Sequence, residues 1–147
     1  MKSQEALAPG KWPERFSVRA YGVLRRGDKV LMTRSTFMDR TFLNFPGGGV
    51  DVGEAPVEGL KREFREETGL EARIKRLLYV SEGLHVSTNH PIQLVSLYWE
   101  VSADGEPRPG ANGDDVLCTM WRTIGDFPRE EMFPSDLEFI DRLPGLL

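Results

Sequence analysis

A chain of 147 residues, 39% hydrophobic and 29% charged, is long enough for one domain with a real core and has the composition of an ordinary globular protein. A net charge of −4 without a long basic stripe argues against a general nucleic-acid binder, and no apolar run approaches the ~20 residues of a membrane span. A small phosphate ligand is not excluded, because a bound metal reverses the local sign of an acidic protein.

Residues 1–13, with Pro9-Gly10 and Pro13, read as a flexible lead-in, and residues 14–147 as a single domain without repeats or linkers. Phe16 to Leu24 alternates as a strand, with Phe16, Val18, Ala20, Gly22 and Leu24 on one face and Ser17, Arg19, Tyr21 and Val23 on the other. Gly27-Asp28 is turn chemistry and predicts a hairpin into a second strand, Lys29 to Arg34. Ser35 to Thr41 reads as a loop, Phe42 to Phe45 as a short strand, and Pro46 to Gly49 as a break. Pro56 near its start and Gly69 just past its end frame a helix whose Val57, Leu60 and Phe64 share one side. Two more strands, Arg73 to Ser81 and Ile92 to Val101, precede a turn-rich loop from Gly105 to Gly113. A strand from Val116 to Thr123 and a closing helix, Ser135 to Leu143, complete an α/β order in which helices cover the faces of a sheet.

Cys118 is the single cysteine, which excludes an internal disulfide; its apolar surroundings predict a buried, inert thiol. With no signal-like stretch from Met1 to Trp12, the expected location is cytoplasmic. Two histidines, His85 and His90, and one cysteine do not have zinc-site spacing. His85 and His90 flank a loop, Val86 to Asn89, in reach of a sugar if one binds there; isolated histidines are more often incidental.

The informative stretch runs from Gly48 to Leu70. On a helix, Glu63, Glu66 and Glu67 stand at i, i+3 and i+4, within roughly a 100° arc at the edge of the apolar stripe. Crowded carboxylates there need an offsetting positive charge. Oxygen-only ligands suit Mg²⁺ or Mn²⁺, hard cations that also bind phosphate. Three glycines before the helix let backbone pass close to a metal or phosphate. The residues alone leave two readings open: a metal–phosphate site, or a solvated acidic face paired with Lys61, Arg62 and Arg65.

Gly48, five residues, Glu54, seven residues, then Arg62-Glu63-Phe64-Arg65-Glu66-Glu67-Thr68-Gly69-Leu70 resembles the complete box of the Nudix hydrolase family, every fixed position filled. Seven identities at set spacing arise by chance at roughly 10⁻⁸ to 10⁻⁹ per start point. The resemblance implies an α/β/α sandwich with a mixed central sheet and a metal-dependent hydrolase of a pyrophosphate bond, acting by water attack on phosphorus. It also implies residue roles. Glu63, Glu66 and Glu67, with the Gly47 carbonyl, would be metal ligands, one glutamate or a metal-held water acting as base. Arg62 would orient a glutamate, here expected to be Glu66 one turn on. Glu54 would brace the loop, with Gly48 and Gly69 structural. A further acid on a late loop, about six residues before a tryptophan, falls on Asp115, beside Asp114; the family more often has Glu there, which leaves its role open.

Substrate identity is weaker. The segment from Phe45 to Glu54 is loosely similar to small bacterial enzymes acting on nucleoside diphosphate sugars, which is the expectation adopted. Hydrolysis of nucleoside triphosphates, ADP-ribose or dinucleoside polyphosphates is the alternative, and a non-catalytic nucleotide-sensing domain is the alternative of a different class. Arg19, Tyr21, Arg34 and Phe45, with Arg40, are candidate substrate contacts, set against ordinary surface or core roles. The expected partner is a small nucleotide, with no nucleic acid and no membrane. The apolar strand faces and early hairpin suit either a homodimer or the monomer's own sheet.

Overall fold

The computed structural model describes residues 12–87, 90–108 and 116–147. Residues 1–11 of the expected lead-in and Asp114 and Asp115 lie outside the described residues.

The elements, in chain order, are β1 (Arg15–Arg26), β2 (Lys29–Phe37), β3 (Arg40–Asn44), β4 (Gly47–Gly49), helix α1 (Pro56–Thr68), β5 (Arg73–Val80), β6 (His85–Val86), β7 (Ile92–Ser102), β8 (Val116–Thr123) and helix α2 (Pro134–Arg142). Short 3-10 turns precede and follow α2. The sheet is mixed. β1 and β7 run parallel over a long register, Arg15 opposite Ile92 through Leu24 opposite Val101, while the other pairings are antiparallel. The path β3-β2-β1-β7-β5 is joined by β4 on β1, β6 on β7 and β8 on β2.

Alternation in β1 explains why helices lie on both faces. Ala20 and Leu24 join Leu60 and Phe64 of α1 in one apolar cluster; Tyr21 and Val23 join Phe139 and Ile140 of α2 in another. Successive side chains of a strand point to opposite faces, so one β-strand feeds two cores. Leu60 and Phe64 are fully buried, each contributing about 2–3 kcal/mol of apolar burial. The expected helix side therefore holds, with Val57 only half-buried.

Three expectations are corrected. The Ser35–Thr41 loop is instead a hairpin: β2 continues to Phe37, and Met38 and Asp39, both at positive φ, turn the chain tightly into β3. Nothing in Met-Asp announces that turn, which asparagine and glycine usually mark. The break at the glycines is a strand, because β4 pairs with β1 through Arg19–Gly49, Ala20–Gly48 and Tyr21–Gly47. Phe16, on the same strand face as Ala20 and Leu24, is 70% exposed, because α1 covers that face only from Ala20 onward. Cys118 is half-buried rather than buried. Among the described residues no helix is long and apolar enough to cross a membrane.

Candidate active site

Helix α1 is placed by its two ends. Pro56 occupies the first turn, where a missing N–H costs nothing, and Gly69 closes the helix at φ 73, its N–H donating to the Arg65 carbonyl at 2.8 Å. Between them the carboxylates of Glu63 and Glu67 lie against β4, beside Gly48 and Gly47, and Glu66 is near enough to act on both charges. Gly47 permits the close pairing of β4 with β1. At φ 149 it adopts a conformation other residues avoid, and a Cβ there would lie 2.1 Å from the Ala20 carbonyl oxygen. Its N–H donates to Glu67 Oε1 at 3.2 Å.

Arg62 organises the rest. Its Nε and one terminal nitrogen bind the two oxygens of Glu54 at 2.8 and 2.9 Å, a bidentate clamp, and Glu54 also accepts the Asp51 N–H at 3.0 Å. These bonds, Arg62 first, hold the Glu54 carboxyl down at about 2 and raise the Arg62 guanidinium further above its ordinary range. Glu54 thus braces the loop before the helix. The other terminal nitrogen of Arg62 meets Glu63 at 2.9 Å and approaches Glu66 only to 3.7 Å. The expected partner one turn on is therefore the weaker contact; Glu63, next in sequence, is oriented instead, because the clamp on Glu54 draws the guanidinium toward the start of the helix.

The remaining carboxylates are under electrostatic pressure. Burial pushes Glu63 upward, with Arg62 opposing it. Burial pushes Glu67 up to about 8; its hydrogen bond to Gly47 opposes this, and Glu63 and Glu66 add to it. A carboxylate that is costly to ionise beside two others fits a cation better than it fits an isolated protein. The space fits too: a Cβ on Gly48 would sit 3.0 Å from the Glu63 carboxyl carbon and 3.2 and 3.3 Å from its oxygens, so glycine leaves the Glu63 carboxylate open on that side. Among the described residues no three acids already converge as a closed metal cluster. Glu63 is held by Arg62 and Glu67 by Gly47, so binding would draw on carboxylates already aimed by hydrogen bonds.

A sequence profile of the NUDIX domain matches residues 13–143, most of the chain. The chain belongs to the Nudix family. It is 37% identical over 105 residues to an 8-oxo-dGTP diphosphatase of Haemophilus influenzae, spanning 69% of each. The fold resembles the MutT NUDIX hydrolase of Burkholderia pseudomallei, with a TM-score of 0.73 at 21% identity over 88% of this chain and 99% of the other. It also resembles an ADP-ribose pyrophosphatase of Streptococcus suis, with a TM-score of 0.64 at 17% identity over 88% and 91%. This Nudix chain is a pyrophosphohydrolase that depends on a divalent metal and acts on small nucleotides.

The candidate substrate contacts separate in the structure. Arg19 and Tyr21 lie together, Arg19 Nε donating to the Tyr21 hydroxyl at 2.6 Å, and Arg19 is close enough to Asp136 and Glu63 to feel both charges. Arg34 is paired with Glu131. Arg40 is exposed on the hairpin, its guanidinium over the Phe42 ring. Phe45 is 1% exposed and packs on Tyr98, Phe127 and Phe139, a core position.

The structure also adds residues that sequence reasoning passed over. Asp136, in the first turn of α2, is buried and accepts the Tyr98 hydroxyl at 2.6 Å; burial pushes its carboxyl up to about 6. Glu138, one residue beyond Leu137, accepts from the Tyr79 hydroxyl at 2.6 Å and from the Glu82 and Gly83 N–H groups at 2.7 and 2.9 Å, and lies 2.8 Å from His85 Nε2. In sequence Asp136 reads as the ordinary acid of a first helical turn, and Glu138, beyond that turn, as a plain helix carboxylate. Only the distant strand partners, Tyr79, His85 and Tyr98, distinguish these two, and no local pattern announces them.

Proposed function

We propose that Glu63, Glu66 and Glu67, with the Gly47 carbonyl, hold Mg²⁺ or Mn²⁺ and that the chain hydrolyses the diphosphate of a nucleoside diphosphate sugar. The observation that carries the chemistry is Glu67, a carboxyl pushed up to about 8 beside Glu63 and Glu66 on the helix of the family box. A bound divalent ion would lower the pKa of a water and neutralise phosphate oxygens. The chain's own residues do the positioning. Arg62 fixes Glu63, Glu54 fixes Arg62, and the Gly47 N–H aims Glu67. One of the three glutamates, or a water held by the ion, would take the proton from the attacking water. Asp115, beyond the described residues, is proposed as a further acid at this site.

The sugar reading is supported by the loose similarity of Phe45 to Glu54 to small bacterial enzymes acting on nucleoside diphosphate sugars, with Arg19, opposite Gly49 in the β1–β4 ladder, as a candidate contact. A second reading, a nucleoside triphosphate, is favoured by the identity to the 8-oxo-dGTP diphosphatase. An assay of nucleoside diphosphate sugars, ADP-ribose, dinucleoside polyphosphates and nucleoside triphosphates, each with Mg²⁺ or Mn²⁺ in ¹⁸O-water, separates them. Turnover of the sugars with ¹⁸O in a phosphate product is the expected result. Turnover of triphosphates alone would replace the sugar reading with the second.

A further inference from the structure

On the α2 side of the sheet lies a group of polar side chains that the hydrolytic step does not use. β1 and β7 run parallel with Arg19 beside Ser96 and Tyr21 beside Tyr98, so these four share one face. His85, opposite Leu94, points to the same side from β6. Asp136 reaches the Tyr98 hydroxyl from α2, and both Arg19 and His85 are close enough to act on its charge.

Among the described residues, two buried atoms of this group have no partner: His85 Nδ1 and Ser96 Oγ. The Ser96 backbone is fully used, its N–H donating to Ser81 Oγ at 3.0 Å and its carbonyl accepting the Ser81 N–H at 2.9 Å. His85 is also committed on its other nitrogen. Nε2 lies 2.8 Å from Glu138, which leaves Nδ1 as the ring nitrogen without a contact. Buried polar atoms in folded proteins are nearly always paired. A ring nitrogen and a hydroxyl left over beside an arginine and a carboxyl point to a partner from outside the chain. An apolar partner would leave both unmet. Hydroxyl groups, which donate and accept at once, meet both.

We infer that His85 Nδ1 and Ser96 Oγ bind hydroxyl groups of the sugar moiety attached to the diphosphate, forming the subsite that sets substrate preference. The inference rests on the nucleoside diphosphate sugar reading above. Arg19 links this subsite to the metal-binding helix, since it lies beside Ser96 on one flank and Gly49 on the other.

Ser96→Ala removes only the hydroxyl, and His85→Gln keeps a donor near the Nε2 position for Glu138 while losing Nδ1. Each is compared with the unaltered chain on a nucleoside diphosphate hexose and on the triphosphate of the same base, with thermal unfolding as a folding control. The expected result is a loss of about five- to tenfold in kcat/KM on the hexose substrate, mostly in KM, and at least five times smaller on the triphosphate. An equal loss on both substrates would assign the two atoms to the nucleotide half and overturn the proposal. Unchanged kinetics on the hexose, with a raised unfolding temperature, would make them unliganded buried polar atoms and overturn it too. Absence of hexose turnover in the unaltered chain would instead remove the substrate reading on which it rests.

Discussion

Glu67 and Glu138 lie on the two helices that flank the same sheet, and their chemistry is opposite. Glu138 receives the Tyr79 hydroxyl, the N–H groups of Glu82 and Gly83, and the His85 ring, and despite partial burial it is held down at about 2. Glu67 has a backbone bond from Gly47 and the neighbouring charges of Glu63 and Glu66, and burial drives it up to about 8. Both are glutamates on amphipathic helices near the edge of a core. What separates them is the count of donors against like charges. A carboxylate met on all sides by the fold is a clasp; a carboxylate crowded by others and short of donors is suited to a cation, the role proposed for Glu67.

The largest effect expected from breaking that contrast is on turnover. Glu67→Gln should lower kcat by at least ~10²-fold, as when metal-assisted chemistry loses a ligand or base. Near-normal turnover would remove Glu67 from the machinery. The same residue gives a pH prediction. Its folded pKa lies above the unfolded value, so the folded chain binds the extra proton between about 4.5 and 8, and the metal-free protein loses stability as pH climbs through that window. Thermal unfolding with and without a divalent cation should therefore diverge more at pH 8.5 than at pH 6, and Glu67→Gln should flatten the difference.

Glu138→Ala tests the other side. Removing the acceptor strands several partly buried donors and should cost about 2–3 kcal/mol in chemical denaturation. The sign with pH is reversed. The folded pKa is depressed, so the stabilisation is complete above about 4.5 and fades as pH falls toward 2. The gap between the two proteins should narrow in acid. A gap that widened would mean that the carboxylate is no net anchor.

How far each region was readable follows from the same contrast. The Glu67 region is local: glycines, helix and carboxylates fall within Gly48 to Leu70, so spacing alone brought the acids to one helix side and the family resemblance gave them roles. Even there, the choice of Arg62 partner depended on Glu54 reaching across the loop, which helical spacing does not encode. The Glu138 region is non-local. Tyr79, His85, Tyr98, Asp136 and Glu138 come from three strands and a helix, and each reads as unremarkable alone. The antiparallel pairing of β5 and β6 with β7, under α2, makes that neighbourhood, and no strand pattern states which strand it will join. The Met38–Asp39 turn was missed for a different reason: its residues are unusual for the conformation they adopt.

The smallest effect expected lies between the two glutamates, at Asp136. It has one strong donor, the Tyr98 hydroxyl, and is buried, which pushes its carboxyl up to about 6. Arg19 and His85 favour the charge without cancelling the burial. The folded chain therefore holds a proton that the unfolded chain has released, and the penalty grows as pH rises from about 4 to 6 and is then constant. Asp136→Asn keeps an oxygen for Tyr98 and carries no charge, so at pH 7.5 it should unfold about 1–2 kcal/mol later than the unaltered chain, with no gain at pH 4. A loss at pH 7.5 would mean that Arg19 and His85 compensate the charge fully, which would move Asp136 to the side of Glu138. A gain in stability accompanied by weaker substrate binding would place it with Glu67, a group kept at a cost to the fold because a ligand needs it.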